Sequence, residues 1–404
     1  MKKSRFLALA LAGAMSLSLL AGCGGDSSTA PQTSDAGTPA GDTIKVGLIA
    51  NTTGGDAQYG LAVQNGVLLY INQLNEAGGI NGKQVELVQY DDKGDQTEAT
   101  NAFNRMVDEG VTAVIGAVLT APTIAVADLS FEINMPQISA SATAAGVTVL
   151  EPDDPDSEIR TNVFRACFTD AFQGQRMAQY ASEKLGATTA AVIYQTGSDY
   201  SEGLKNAFVA QCAELGITVT SEQAYAEGDV DFRAQMTAIA SQQPDVIFSP
   251  NYYEDDAMIV TQAREVGVTG TFLGGDGWGS VKDYASAEDL EGSVYCSGYA
   301  AGTEGVAQFE ADYEAAYGAS VPNMFAPLGY DAAMLMCNAL KAAEDAGLAA
   351  GSDEYKQAVI EAMKATDGLE GITGSYAFDE QNNPIKDLAI MKLENGNEVF
   401  SEMF

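Results

Sequence analysis

The chain has 404 residues, and 56 acidic against 20 basic side chains give it a formal net charge of −36. A protein this acidic is repelled by phosphate backbones and by anionic lipid headgroups, which argues against nucleic acid as a partner and against adsorption to a membrane surface. The sequence contains no histidine, which excludes Ser-His and Cys-His catalysis and any metal site with histidine ligands. We expect neither a metal nor a cofactor.

The N-terminus has the charged, apolar and small-residue regions of a secretory signal over residues 1–22. Leu20-Ala21-Gly22 leads directly into Cys23, and this sequence is similar to a bacterial lipoprotein box, in which the cysteine is lipidated. The alternative is an ordinary signal peptide that contains a cysteine. Residues 23–42 are small and polar, which predicts a flexible tether. The body would then be extracytoplasmic and lipid-anchored to the cell membrane, in the periplasm or on the outer surface.

The first part of the body alternates strand and helix patterns, with helices long enough to cross over between parallel strands. The predicted elements are Lys45–Ala50, Val85–Tyr90, Thr112–Val118 and Gln137–Ser141 as strands, with Tyr59–Ala77, Thr97–Glu109 and Pro122–Ile133 as helices. This order predicts a parallel sheet with helices on both faces.

A second block repeats the rhythm, and the C-terminal segments are expected to complete the two sheets. The predicted strands are Ala190–Tyr194, Thr218–Ala224, Asp245–Ser249, Gly270–Gly274 and Leu388–Leu393, and the helices are Ser201–Leu215, Phe232–Gln242, Asp255–Val266, Val306–Tyr317, Leu328–Glu344 and Asp353–Ala365. The sequence therefore predicts an α/β fold of two doubly wound lobes. Ligands of such sheets bind outside the carboxyl ends of the strands.

Residues at those strand ends suit a ligand that carries both a carboxylate and an ammonium group. Thr120 is predicted to cap a helix whose N-terminal N–H groups attract a carboxylate. Ser141-Ala142-Thr143 offers hydroxyl and N–H donors after the next strand. In the second block Tyr252 and Asp276 follow two strands, and Asp276 would pair with an ammonium group. Taken singly, each residue has an alternative role as a cap, turn or core residue.

The sequence resembles the periplasmic binding proteins for leucine, isoleucine and valine, which are the receptors of branched-chain amino acid ABC transporters. The likeness spans nearly the whole body. It is carried by the order and spacing of Tyr59-Gly60, Ala77-Gly78-Gly79-Ile80-Asn81-Gly82, Tyr90-Asp91-Asp92, Val114-Ile115-Gly116, Tyr200-Ser201-Glu202-Gly203, Asp231-Phe232, Pro244-Asp245, Gln262-Ala263-Arg264 and Leu273-Gly274-Gly275-Asp276-Gly277.

The resemblance implies the type I periplasmic-binding-protein fold, in which two lobes are joined by a hinge of three strands. It places the crossings near Thr169, Ser297 and Lys386. The first lobe would comprise residues 43–169 plus 298–386, and the second lobe residues 170–297 plus 387–404.

The resemblance also implies roles for individual side chains. Thr120, Ser141 and Thr143 would hold the ligand carboxylate and part of its amine, and Tyr252 and Asp276 would complete the ammonium site. The ligand's side chain would be enclosed by Tyr59, Leu119, Tyr200, Trp278 and Phe325. The sequence departs from the family at Asp276, where glutamate also occurs, at the bulky Trp278, and at Ser141, where a small apolar residue is common.

Two weaker patterns have structural explanations. Cys167, Cys212, Cys296 and Cys337 match no zinc or redox spacing and lie in apolar contexts, which indicates core residues, although one disulfide remains an open alternative. The acidic run within residues 151–158 lacks the alternation and the turn glycine of a calcium loop, which favours a solvated acidic loop.

The leading hypothesis is a non-enzymatic, monomeric receptor that captures an amino acid with a branched-chain or other apolar side chain. It would deliver the amino acid to the permease and ATPase of an ABC importer. One alternative is a two-lobe sensor that regulates a signalling partner, and another is the binding of a small carboxylate that is not an amino acid. An extracellular enzyme is the third alternative, with no activated nucleophile identified in the sequence to support it.

Overall fold

The computed structural model describes residues 43–404. The predicted signal peptide of residues 1–22, the lipidation site at Cys23 and the tether of residues 23–42 lie outside the described residues. Within residues 43–404, no helix combines the length and the apolar composition needed to cross a bilayer.

The described chain alternates short buried strands with longer helices. The strands are β1 (Ile44–Ala50), β2 (Val85–Asp91), β3 (Ala113–Ile115), β4 (Gln137–Ser139), β5 (Val163–Arg165), β6 (Thr189–Gln195), β7 (Thr218–Tyr225), β8 (Val246–Phe248), β9 (Thr271–Gly274), β10 (Val294–Ser297), β11 (Asp367–Gly371), β12 (Gly374–Ala377), β13 (Ala389–Glu394) and β14 (Asn397–Met403). The helices are α1 (Ala57–Glu76), α2 (Gln96–Asp108), α3 (Thr120–Glu132), α4 (Asp170–Glu183), α5 (Asp199–Leu215), α6 (Arg233–Gln242), α7 (Tyr253–Glu265), α8 (Ala287–Leu290), α9 (Ala307–Tyr317), α10 (Phe325–Asp345) and α11 (Asp353–Lys364).

The first lobe is built on a parallel sheet with the strand order β2-β1-β3-β4-β5. Helices cover both faces of such a sheet, so its strands are apolar almost throughout, as in β1 and β3. The strand order reverses between β1 and β3, and the crevice at this switch point lies outside the carboxyl ends of those strands.

The second lobe is built on a sheet with the order β14-β13-β10-β9-β8-β6-β7. The neighbouring strands β10, β9, β8, β6 and β7 are parallel to one another. The strands β13 and β14 add an antiparallel edge. The chain crosses from one lobe to the other three times. The crossings lie after β5 and before α4, after β10 and before α9, and after β12 and before β13. The predicted fold class is confirmed, whereas the exact residue boundaries of the lobes stay a prediction.

Several elements were not predicted from the sequence, namely β5, α4, α8, β10, β14 and the hairpin of β11 and β12. The strand β5 is only Val163-Phe164-Arg165, and its arginine is completely buried. A three-residue strand that contains a charged side chain gives no clear apolar pattern, because its burial is decided by contacts distant in sequence.

Two glycines allow α1 and α10 to pack with their backbones in contact. A Cβ atom at Gly66 would lie 1.8 Å from the carbonyl oxygen of Ala326, and one at Gly329 would lie 2.4 Å from that of Val63. A larger residue at either position would force the helices apart. This contact fixes the N-terminal turns of both helices, which carry Tyr59 and Phe325 to the crevice.

Candidate functional site

A small cavity of about 260 Å³ lies between the carboxyl ends of the two sheets. The structure brings nine of the eleven predicted ligand-binding residues to its wall. The lining residues are Tyr59, Val118, Leu119, Thr120, Ser141, Thr143, Tyr200, Tyr252, Asp276, Gly277 and Phe325. Both lobes therefore contribute side chains to one cavity.

The N-terminus of α3 supplies positive dipole character to the first-lobe side of the cavity. The structure places Leu119 at the N-cap, without a side-chain cap, and Thr120 in the first turn, so Thr120 is not the capping residue predicted from the sequence. The Thr123 hydroxyl donates a 2.7 Å hydrogen bond to the Leu119 carbonyl and caps no N–H group among the described residues. The first N–H groups of a helix have no partner within the helix, and they favour an anionic group.

The loop after β4 is organised by Ser139, which sequence reasoning missed. Its hydroxyl accepts a 3.1 Å hydrogen bond from the Ala142 N–H and donates one of 3.0 Å to the Ala117 carbonyl. The Ser141 hydroxyl is also bound within the protein, at 2.7 Å from the Val118 carbonyl. The Thr143 hydroxyl is buried without a hydrogen-bond partner among the described residues, so it is the hydroxyl of this loop best placed to bind a ligand.

Asp276 supplies a buried carboxylate on the second-lobe side. It lies in a short turn directly after β9, is 2 % exposed, and accepts a 2.7 Å hydrogen bond from the Tyr200 hydroxyl. Its N–H donates a 2.9 Å bond to the side-chain oxygen of Gln173. Burial raises the pKa of the Asp276 carboxyl to about 6, and the hydrogen bond from the Tyr200 hydroxyl opposes that shift. A cation in the cavity would stabilise the ionised form.

Asp170 is a second buried carboxyl beside the cavity, and the sequence analysis did not identify it. It is the first residue of α4, and both of its side-chain oxygens are buried without hydrogen-bond partners among the described residues. Burial and the nearby Asp276 carboxylate raise its pKa well above the ordinary value, while the positive charge of Arg165 favours ionisation. The signal in the sequence was the lone acidic residue next to Thr169, where a lobe crossing was predicted.

Arg165 is the buried cation behind this end of the site. Its guanidinium donates hydrogen bonds of 3.0 Å to the Ala142 carbonyl and 2.9 Å to the Ala144 carbonyl. These bonds hold the loop that carries Thr143. No lysine or arginine is among the residues that line the cavity, so an anionic group there would be held by N–H and hydroxyl donors alone.

Aromatic rings form the remaining wall. The Tyr59 ring lies 4.6 Å from that of Phe325 and 5.7 Å from that of Tyr252, and Tyr252 stacks on Tyr200 at 4.9 Å. The hydroxyls of Tyr59 and Tyr200 are both engaged by protein groups. These two tyrosines therefore present apolar ring surface to the cavity.

Two predicted residues do not line the cavity. Trp278 is fully buried, and its indole N–H donates a 2.8 Å hydrogen bond to the Ser249 carbonyl. A Cβ atom at Gly274 would lie 2.1 Å from the indole ring, so this glycine leaves the space in which the ring packs against β9. Ala142 uses its N–H for Ser139 and its carbonyl for Arg165.

The cysteines and the acidic residues give no second chemical centre in the part of the chain that the structure describes. Cys167, Cys212, Cys296 and Cys337 are buried and unpaired, in agreement with the core role predicted for them. Within residues 43–404 no group of three or more acidic or cysteine side chains is arranged to hold a metal ion.

Two doubly wound lobes that close around a small polar and aromatic cavity define the class of two-lobe substrate-binding proteins. The family model described as "Periplasmic binding protein" matches residues 43–398, and the chain belongs to this family. The family is non-enzymatic, which confirms the prediction that this protein is not an enzyme.

Individual relatives agree with this assignment. The Leu/Ile/Val-binding protein BraC3 of Rhizobium johnstonii is 30% identical over 363 residues, which cover 89% of this chain and 94% of the relative. The leucine-binding protein LivK of Thermotoga maritima is 32% identical with a TM-score of 0.79, covering 90% of this chain and 99% of the other. LivJ of Streptococcus pneumoniae, solved in complex with isoleucine, is 30% identical with a TM-score of 0.80 and the same coverage.

Proposed function

We propose that this protein captures an amino acid with a branched-chain or other apolar side chain and delivers it to an ABC importer. The observation that carries the proposal is the pairing across one cavity of a helix N-terminus and a buried carboxylate. Thr120 and Thr143 approach from the first lobe, and Asp276 approaches from the second. A zwitterion satisfies both sides, because its carboxylate meets the dipoles and its ammonium group meets the charge.

The aromatic wall supports an apolar side chain on that amino acid. A polar side chain would lose its hydration next to rings whose hydroxyls, at Tyr59 and Tyr200, are already bound to protein groups. The small cavity volume also favours a ligand of amino-acid size over a peptide. The relative named for binding leucine, isoleucine and valine, and LivJ in complex with isoleucine, support the same class of ligand.

Capture would proceed by closure of the lobes around the ligand. Each lobe alone offers half of the polar contacts, so the closed form binds the zwitterion better than the open form does, and the ligand shifts the equilibrium towards closure. Permease and ATPase subunits would then receive the closed, loaded protein as a monomer. We also propose lipidation at Cys23, which would keep the receptor at the outer face of the cell membrane.

Thermal melting of the purified protein against the common L-amino acids tests the ligand class. A true ligand at about a hundred times its Kd adds about 2.7 kcal/mol of stability, which raises the melting temperature by about 3–5 °C. We expect this shift with L-leucine, L-isoleucine or L-valine and no shift with glutamate. A response to sugars, peptides or aromatic acids, with none to any amino acid, would overturn the proposal.

A further inference from the structure

A reciprocal pair of tyrosines joins the two lobes beside the cavity. The Tyr59 hydroxyl, on the first lobe, donates a 2.5 Å hydrogen bond to the Gly277 carbonyl and accepts a 3.1 Å bond from the Tyr253 N–H. The Tyr253 hydroxyl, on the second lobe, donates a 2.7 Å bond back to the Gly55 carbonyl. Each tyrosine thus hydrogen-bonds to the backbone of the opposite lobe.

The position of these bonds links them to the ligand site. Gly277 directly follows Asp276, and Tyr253 directly follows Tyr252, so the bonds attach next to two residues of the cavity wall. The rings of Tyr59 and Tyr253 meet edge to face, with centroids 4.9 Å apart, and both side chains are buried. Tyr253 itself does not line the cavity.

We propose that Tyr253 is a positioning residue of ligand capture, forming with Tyr59 an interlobe latch that is made when the cleft closes. The latch holds the backbone beside Tyr252 and Asp276 against the first lobe. A bound ligand cannot leave until the hydrogen bonds of the latch break. It therefore slows dissociation more than it speeds association. The identity of the ligand rests on the proposed function, whereas the latch itself requires no ligand.

Tyr253→Phe tests the latch, because it keeps the ring and removes only the bond to Gly55. Tyr317→Phe is the matched control, since the Tyr317 hydroxyl donates an equal 2.7 Å bond to the Asn65 carbonyl within the first lobe. Both variants lose one tyrosine-to-carbonyl bond and should lose similar stability. Only Tyr253→Phe loses a bond between the lobes.

Stopped-flow kinetics with L-isoleucine and small-angle scattering of the ligand-free protein are the measurements. We expect Tyr253→Phe to raise koff about five- to tenfold, to change kon by less than about twofold, and to increase the radius of gyration without ligand. Tyr317→Phe should change none of these. Equal effects of the two variants would overturn the latch. It would also be overturned if Tyr253→Phe changed neither koff nor the radius of gyration.

A second variant guards against poor folding, and scattering separates the two proposals. If Tyr253→Phe melts below the assay temperature, Tyr59→Phe removes the opposite half of the latch and should give the same change in the ligand-free radius. If the wild-type protein binds no amino acid, the proposed function fails. The ligand-free scattering of the variants then still decides whether the latch exists.

Discussion

The two halves of the binding cavity are built by different physical means. On the first lobe, the Ser141 hydroxyl is already hydrogen-bonded within the protein. A helix N-terminus supplies dipoles there, and no charged side chain has to be buried for this purpose. On the second lobe, Asp276 is a buried carboxyl whose pKa is raised to about 6. The first half presents no charged side chain to the cavity, whereas the second half carries a carboxylate that an arriving cation would stabilise. Affinity should therefore depend more steeply on the second lobe.

The largest effect is expected for Asp276→Asn. The amide keeps the shape and can still accept the bond from Tyr200, but it removes the charge that we propose pairs with the ligand ammonium. We expect the affinity for L-isoleucine to fall at least about 100-fold, or about 2.7 kcal/mol, in isothermal calorimetry. Asp199→Asn is the control, because it changes the net charge equally at an exposed position outside the cavity. Equal affinity of Asp276→Asn and the wild-type protein would remove Asp276 from the site.

The affinity should also depend on pH through the same group. Because burial raises the pKa of Asp276 to about 6 in the empty site, much of the protein carries a proton there at pH 5, and this proton must leave before an ammonium group can bind. Affinity for L-isoleucine should rise about tenfold between pH 5 and pH 7 and then level off. Calorimetry in two buffers of different ionisation enthalpy should detect proton release near pH 6. Proton uptake instead would contradict this assignment.

A smaller contrast is expected between two hydroxyls of the first lobe. Thr143→Val removes an unpartnered hydroxyl that lines the cavity, so the affinity for L-isoleucine should fall about fivefold. Ser141→Ala removes a hydroxyl already bound to the Val118 carbonyl and should change the affinity by less than about twofold. The reverse order of the two effects would mean that Ser141 changes partner on binding.

Local pattern was sufficient to predict most of the fold. The alternation of apolar strands with long helices gave both sheets, because strands covered on both faces are apolar throughout. Three of the elements that were missed, β5, α4 and β10, lie next to the passages between the lobes. There, burial depends on contacts between residues far apart in the sequence, as for the buried Arg165.

The cavity wall was predicted partly from strand-end positions and partly from family resemblance. Thr143 and Asp276 were found because each follows a strand whose carboxyl end faces the crevice. Asp170 and Tyr253 were missed, because their surroundings depend on the folded structure. Asp170 is buried beside Thr143, and Tyr253 hydrogen-bonds to the opposite lobe. The position of the Trp278 ring depends on the space left by Gly274, which no pattern in the sequence reveals.

Trp278 is the only tryptophan in the chain, and its fully buried ring lies two residues from Asp276. All indole emission of this protein therefore originates at one point, on the segment that also carries Gly277 and its bond to Tyr59. A change in the polarity or rigidity of that segment will alter the emission without a contribution from any other indole. The molecule thus contains its own optical probe, with which lobe movement can be timed without chemical labelling.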